Sequence, residues 1–122
     1  MAEGSTAHPH LPRPLAAAEL AERLRRGDDL QLVDVREDGE LALARLAETV
    51  IHLPLSRAGD WAPRIDALLD RERPVAVFCH AGVRSWQVGC WLLQEQGFAE
   101  VWNLEGGIEA WSLQVDPSVP RY

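Results

Sequence analysis

Residues 75–79, Val-Ala-Val-Phe-Cys, are an unbroken run of five apolar residues, and a helix-forming stretch begins a few positions later. A strand with no polar side is one covered on both faces, which calls for a parallel sheet sandwiched between helices. The rest of the chain repeats this alternation. Leu15, Ala18, Leu20, Ala21 and Leu24 recur at helical spacing and predict a helix over 15–26, stopped by Gly27. Residues 30–35 read as a strand, 36–47 as an acidic helix and 49–55 as a short strand broken by Pro54. Asp60 is the expected cap of a helix over 61–69. After the apolar run come a helix over 83–96 ended by Gly97, a strand over 99–104 and a short helix over 106–112. Connections this short predict a single three-layer α/β/α domain around a mostly parallel sheet of four to five strands. Its expected limits are 15–113, after a proline-rich flexible arm at 1–14 and before a tail at 114–122.

Composition narrows the function classes. With 19 acidic and 12 basic residues the net charge is -7, which argues against nucleic acid or an anionic membrane as partner. No run approaches the roughly 18 to 20 apolar residues of a membrane helix, and residues 1–14 lack the basic start and apolar centre of a signal peptide, so a cytoplasmic protein is expected. Cys79 and Cys90 are the only two cysteines, too few for a disulfide scaffold. Any special role they have is chemical.

Cys79 stands at the carboxyl end of the apolar strand, where open parallel sheets place their ligands. The loop "CHAGVRS", 79–85, leads straight into a helix. A tight turn there directs backbone N–H groups at the sulfur, and the helix dipole adds positive potential; both favour thiolate over thiol, with Arg84 as a third contribution. Gly82 suits a backbone that bends closely around the site. Ser85 is placed to cap the helix or donate to the sulfur. A lone cysteine at a strand end is more often a small buried hydrophobe. The whole sequence of strand, Cys79, Gly82, Arg84, Ser85 and helix favours a reactive site instead.

"LVDVRE" at 32–37, the loop 79–85, the helix "WQVGCWLLQEQGF" at 86–98 and "VWNLEGGIEAW" at 101–111 together resemble a single-domain rhodanese, a sulfurtransferase of the thiosulfate type. The likeness runs from about Leu15 to Trp111 and implies a rhodanese-like fold. It departs from the family at 45–50, "RLAETV", where rhodaneses usually carry a segment like His-Ile-Pro-Gly-Ala. The resemblance implies that Cys79 takes a sulfane sulfur from a small donor, thiosulfate or a persulfide. It would hold that sulfur as a persulfide and pass it to cyanide or a thiol, including a protein thiol. Loop residues His80, Ala81, Gly82, Val83, Arg84 and Ser85 would bind the substrate and steady the persulfide anion, with no metal or organic cofactor. Cysteine phosphatases and arsenate reductases separate Cys and Arg by one residue more, so the four residues between Cys79 and Arg84 suit a sulfur atom better than a phosphoryl group. A non-catalytic interaction domain is the other alternative, and an intact Cys79, Gly82 and Arg84 speak against it.

The remaining candidates have plainer readings. His80 is expected to shape the loop rather than act as a base, and His52 to be structural. His8 and His10 in an arm make a poor metal site. Asp34 and Arg36, at the site periphery, recur in rhodaneses by the same resemblance and would tie loops together. Glu37 and Glu40 read as a helix start and a solvated face. The core stripe of the helix after the loop is expected at Val88, Gly89, Leu92 and Leu93, leaving Cys90 at its margin and badly placed to resolve a persulfide. Trp86 is expected beside the site mouth, with most of the other tryptophans in the core.

Overall fold

A computed structural model describes residues 10–122. Five parallel strands form the sheet: β1 Arg13–Leu15, β2 Gln31–Asp34, β3 Ile51–His52, β4 Val75–Phe78 and β5 Val101–Leu104, in the order β1-β5-β4-β2-β3. The apolar run is the central strand, every residue of it buried, as a strand covered on both faces must be. Alternate side chains go to opposite layers. Ala76 and Phe78 join Leu15, Leu20, Leu32, Leu104, Ile108 and Trp111 on one side, where helices α1 (Ala17–Arg26) and α6 (Gly107–Gln114) pack together. Val75, Val77 and Cys79 face the other layer with Val33, Val35, Trp61, Val88 and Leu92, under helix α5 (Val83–Gln94).

Five local expectations need correction. Residues 10–14 do not belong to an arm: Pro14 pairs with Asn103 in the edge strand β1, where a residue without an N–H is tolerated, and Pro12 packs on Gly89 of α5. The rest of the expected arm, 1–9 with His8, lies outside the described residues. The acidic helix is only α2, Asp38–Leu43, started by a reciprocal Glu37–Glu40 capping box. It stops because Ala44 is extended, its carbonyl turned to the Arg36 guanidinium at 2.8 Å. The expected helix 61–69 is a chain of single turns: Leu55–Arg57 and Ala62–Arg64 as 3-10 turns, α3 Ala58–Trp61 and α4 Ile65–Leu68. Pro63 has no N–H to continue a helix, and Asp60 sits inside α3 without capping anything. Within α5 the buried residues are Ser85, Val88, Gly89 and Leu92; Leu93 is only half-buried and Cys90 lies at the margin. The tail is also integral. Val119 is buried, and its carbonyl accepts a hydrogen bond from Ser112 Oγ at 2.6 Å.

Among the described residues no helix is long and apolar enough to cross a membrane.

Candidate active site

β4 delivers Cys79 to the sheet's carboxyl edge, and α6 fixes the backbone that follows. The first amides of α6 are unpaired within their own helix, and two of them reach back: Ile108 N–H donates to the Cys79 carbonyl at 2.9 Å and Glu109 N–H to the His80 carbonyl at 3.1 Å. The chain then turns at Gly82, whose φ of +113° is a region that favours glycine. That turn aims donors at the sulfur. Gly82 N–H lies 3.1 Å and Ser85 N–H 3.4 Å from Cys79 Sγ, with Ser85 Oγ at 3.3 Å. Cys79 is 1% exposed. Its burial opposes ionisation, but the Ser85 hydroxyl and the amides of Ser85, Gly82 and Ala81 outweigh it, and the thiol ionises below its ordinary value. Cys90 goes the other way, its thiol pushed up by burial alone.

Arg84 does not stand free beside the sulfur. Its guanidinium grips the Glu40 carboxylate with both terminal nitrogens, at 2.6 and 2.9 Å, so Glu40 is tied to the Cys79 loop and is not a solvated face. The Tyr122 hydroxyl donates to the same carboxylate at 2.9 Å. Against the cost of partial burial, the hydrogen bond from Arg84, helped by Glu37 N–H and Tyr122, holds Glu40 down at about 2. A depressed carboxylate pKa stabilises the fold above the unfolded value of 4.5 and loses that contribution as pH falls toward about 2. Glu40→Gln is therefore expected to be less stable than the unaltered protein at neutral pH, with a gap that narrows through this window. Urea unfolding at stepped pH measures it, and a gap independent of pH would contradict the pairing.

Asp34 and Arg36 form a buried forked pair, with Nε to Oδ1 at 3.0 Å and Nη2 to Oδ2 at 2.8 Å. Arg36 also donates to the Ala44 carbonyl at 2.8 Å and the Tyr122 hydroxyl at 3.1 Å, and its own carbonyl meets His52 Nε2 at 2.7 Å. The pair ties β2 to the segments around it and makes no hydrogen bond with the sulfur. His80 stacks on the Tyr122 ring, centroids 4.2 Å apart, and its Nε2 lies 3.9 Å from Glu109. Ala81 and Val83 are exposed on the loop, and Trp86 is 39% exposed one turn into α5. The atypical segment 45–50 has no regular structure and borders a hollow of about 860 Å³ lined by Asp38, Leu46, His52 and Val119 among others; no residue of the Cys79 loop lines it. No group of three or more metal-ligating side chains occurs among the described residues.

Sequence reasoning overlooked Asn103 and Tyr122 and took Glu40 for a solvated face, while Gly106 and Gly107 do form the tight strand-to-helix turn their sequence suggests, both with positive φ. Asn103, at the end of β5, donates from Nδ2 to the Gly82 carbonyl at 3.1 Å and accepts from Ser85 Oγ at 2.5 Å. It lies inside "VWNLEGG", a stretch whose place behind a Cys loop was the available signal.

Residues 16–114 match the family model described as the Rhodanese-like domain. The chain is 48% identical over 95 residues to Rhodanese-like/PpiC domain-containing protein 12, chloroplastic, of Arabidopsis thaliana, covering 78% of this chain and 31% of that longer protein. It is 34% identical over 100 residues to a sulfurtransferase of Allochromatium vinosum, covering 82% of this chain and 88% of the relative. A crystal structure of a rhodanese-like domain protein from Staphylococcus aureus superposes with a TM-score of 0.69 at 26% identity, covering 90% of this chain and 98% of that one.

Proposed function

The chain belongs to the rhodanese-domain sulfurtransferase family, and from that premise we propose that it moves a sulfane sulfur from a donor such as thiosulfate to a thiophilic acceptor through a persulfide on Cys79. The observation that carries the proposal is the convergence of Gly82 N–H, Ser85 N–H and Ser85 Oγ on one sulfur atom. The two amides are already in place and stabilise an anion without reorganising when it forms, and the Ser85 hydroxyl lies within reach of the same sulfur.

In the first step the Cys79 thiolate attacks the outer sulfur of thiosulfate. The S–S bond of the donor breaks, its electron pair leaves with sulfite, and Cys79 carries S–S⁻. Because an S–S bond is about 2 Å long, the negative charge moves outward by that much, from a buried atom toward the amides that line the loop. In the second step cyanide or a thiolate attacks the outer sulfur and the thiolate of Cys79 is restored. No proton needs to be relayed in the cyanide reaction, which agrees with His80 being stacked on Tyr122 rather than bonded to the sulfur. Donors clustered on Sγ itself also favour sulfur over a phosphoryl group as cargo. A low-molecular-weight persulfide as donor and a protein thiol as acceptor follow the same two steps.

The test is loading. After exposure to thiosulfate, intact-mass spectrometry should find one added sulfur and peptide mass spectrometry should place it on the Cys79 peptide, removed by cyanide as thiocyanate; Cys79→Ser should take up none. Failure of every sulfane donor to load Cys79 would sink the proposal.

A further inference from the structure

Ser85 has one hydroxyl proton and two claimants for it. Cys79 Sγ lies 3.3 Å from Ser85 Oγ, and Asn103 Oδ1 lies 2.5 Å away. The orientation of the Asn103 amide is not free, because its Nδ2 donates to the Gly82 carbonyl at 3.1 Å, and a flipped amide would set two oxygens against each other there. Oδ1 therefore faces Ser85 and can only accept. While Cys79 is a thiol, its S–H donates to Ser85 Oγ and the Ser85 proton goes on to Asn103. When Cys79 loses its proton, the sulfur no longer donates, and the Ser85 hydroxyl must turn from Asn103 to the sulfur to stabilise the anion.

We propose that Asn103 is a positioning residue that competes with Cys79 for the Ser85 proton and thereby decides which charge state of the nucleophile the site favours. It stabilises the two states in which Sγ is not the anion. These are the resting thiol and the loaded persulfide, whose charge has moved to the outer sulfur, so that Ser85 can turn back to Asn103. The thiolate is the state in which Asn103 Oδ1 loses its partner, and it is consequently left less stable and more reactive. The inference rests on Cys79 being the reacting thiol.

Charged and titratable groups from several elements lie on the Cys79 loop or beside it. His80 and Arg84 lie on its own loop, and Glu40 on α2 is gripped by Arg84. Asp34 and Arg36 stand at the end of β2, Glu109 on α6 faces His80, and Tyr122 stacks on His80. Substitution at 103 removes none of these groups.

The experiment measures the pH midpoint of Cys79 alkylation by iodoacetamide, followed on the Cys79 peptide by mass spectrometry, in four proteins: unaltered, Asn103→Leu, Ser85→Ala and the double variant. Ser85→Ala should raise the midpoint. Asn103→Leu also removes one of the two donors to the Gly82 carbonyl, leaving Trp86 N–H, and the double variant reports that effect alone, so the reading is the difference between the two backgrounds. With Ser85 present, Asn103→Leu should shift the midpoint lower by about half to one pH unit relative to its effect in Ser85→Ala, the worth of one hydrogen bond. Equal effects in the two backgrounds, or a difference of opposite sign, overturn the proposal. If Asn103→Leu does not fold, nitrogen-15 NMR of the Asn103 side-chain amide decides: it should titrate with the Cys79 midpoint in the unaltered protein and cease to do so in Ser85→Ala, and a response alike in both overturns it. None of these readouts needs sulfur transfer. A protein that alkylates as described but never loads sulfur would count against the proposed function and not against this competition.

Discussion

Gly107→Ala is expected to cost about 3 kcal/mol or more of stability and to abolish sulfur loading on Cys79, the sum of a strained φ and an overpacked contact. A β-carbon at 107 would stand 2.3 Å from the His80 carbonyl oxygen and 2.5 Å from that of Cys79. Both are backbone atoms, so no side chain can swing aside. The φ of +62° at Gly107 penalises any other residue independently of the clash. Those same carbonyls accept the Ile108 and Glu109 amides, so relieving the contact pulls the loop off the start of α6 and spoils the aim of Gly82 N–H at the sulfur. Gly39→Ala, with nothing within 4 Å of the added carbon, is the matched control and should fold normally. Urea unfolding and mass-detected sulfur loading measure both effects. A Gly107→Ala protein as stable and as active as the unaltered one would refute this account of how the loop is held.

Asp34→Asn is the second large effect, through stability rather than chemistry. Arg36 is 0% exposed and Asp34 1%, and the change keeps the shape while deleting the anion that balances a buried guanidinium. Removing one partner of a buried pair typically costs about 3–5 kcal/mol, because the surviving charge is left uncompensated. Replacing both, as Asp34→Leu with Arg36→Met, should be markedly less harmful than the sum of the single changes. The double variant would still lose the bonds from Arg36 to the Ala44 carbonyl and the Tyr122 hydroxyl, so the segment ending at Tyr122 should loosen from His80. Denaturant unfolding of the three variants checks this. Additive penalties, or an Asp34→Asn cost below about 1 kcal/mol, would show that the pair is not the buried tie its geometry describes.

The central strand and the Cys79 loop could be read directly because their signals are local. Five apolar residues in a row announce coverage on both faces, and the order of strand, Cys79, Gly82, Arg84 and helix lies within a dozen positions. β1 could not be read in this way. Arg13–Leu15 has neither period nor β-branched residues, and it becomes a strand only because β5 offers it an edge. The overlong helix expected at 36–47 fails for a similar reason: its composition is helical, yet the carbonyl of Ala44 does better against a buried guanidinium than in another turn.

By itself the sequence determined the alternating α/β layout, the parallel sheet and the identity of the cysteine at its edge, since periodicity and chain order act between near neighbours. Only the tertiary structure decided what surrounds that cysteine. Arg84 meets Glu40 from another helix, Ser85 meets Asn103 from another strand, and His80 meets Tyr122 from the last segment. A hydrogen bond or ion pair depends on ångström-scale distance and direction, and for residues far apart in the chain those exist only once the layers have packed.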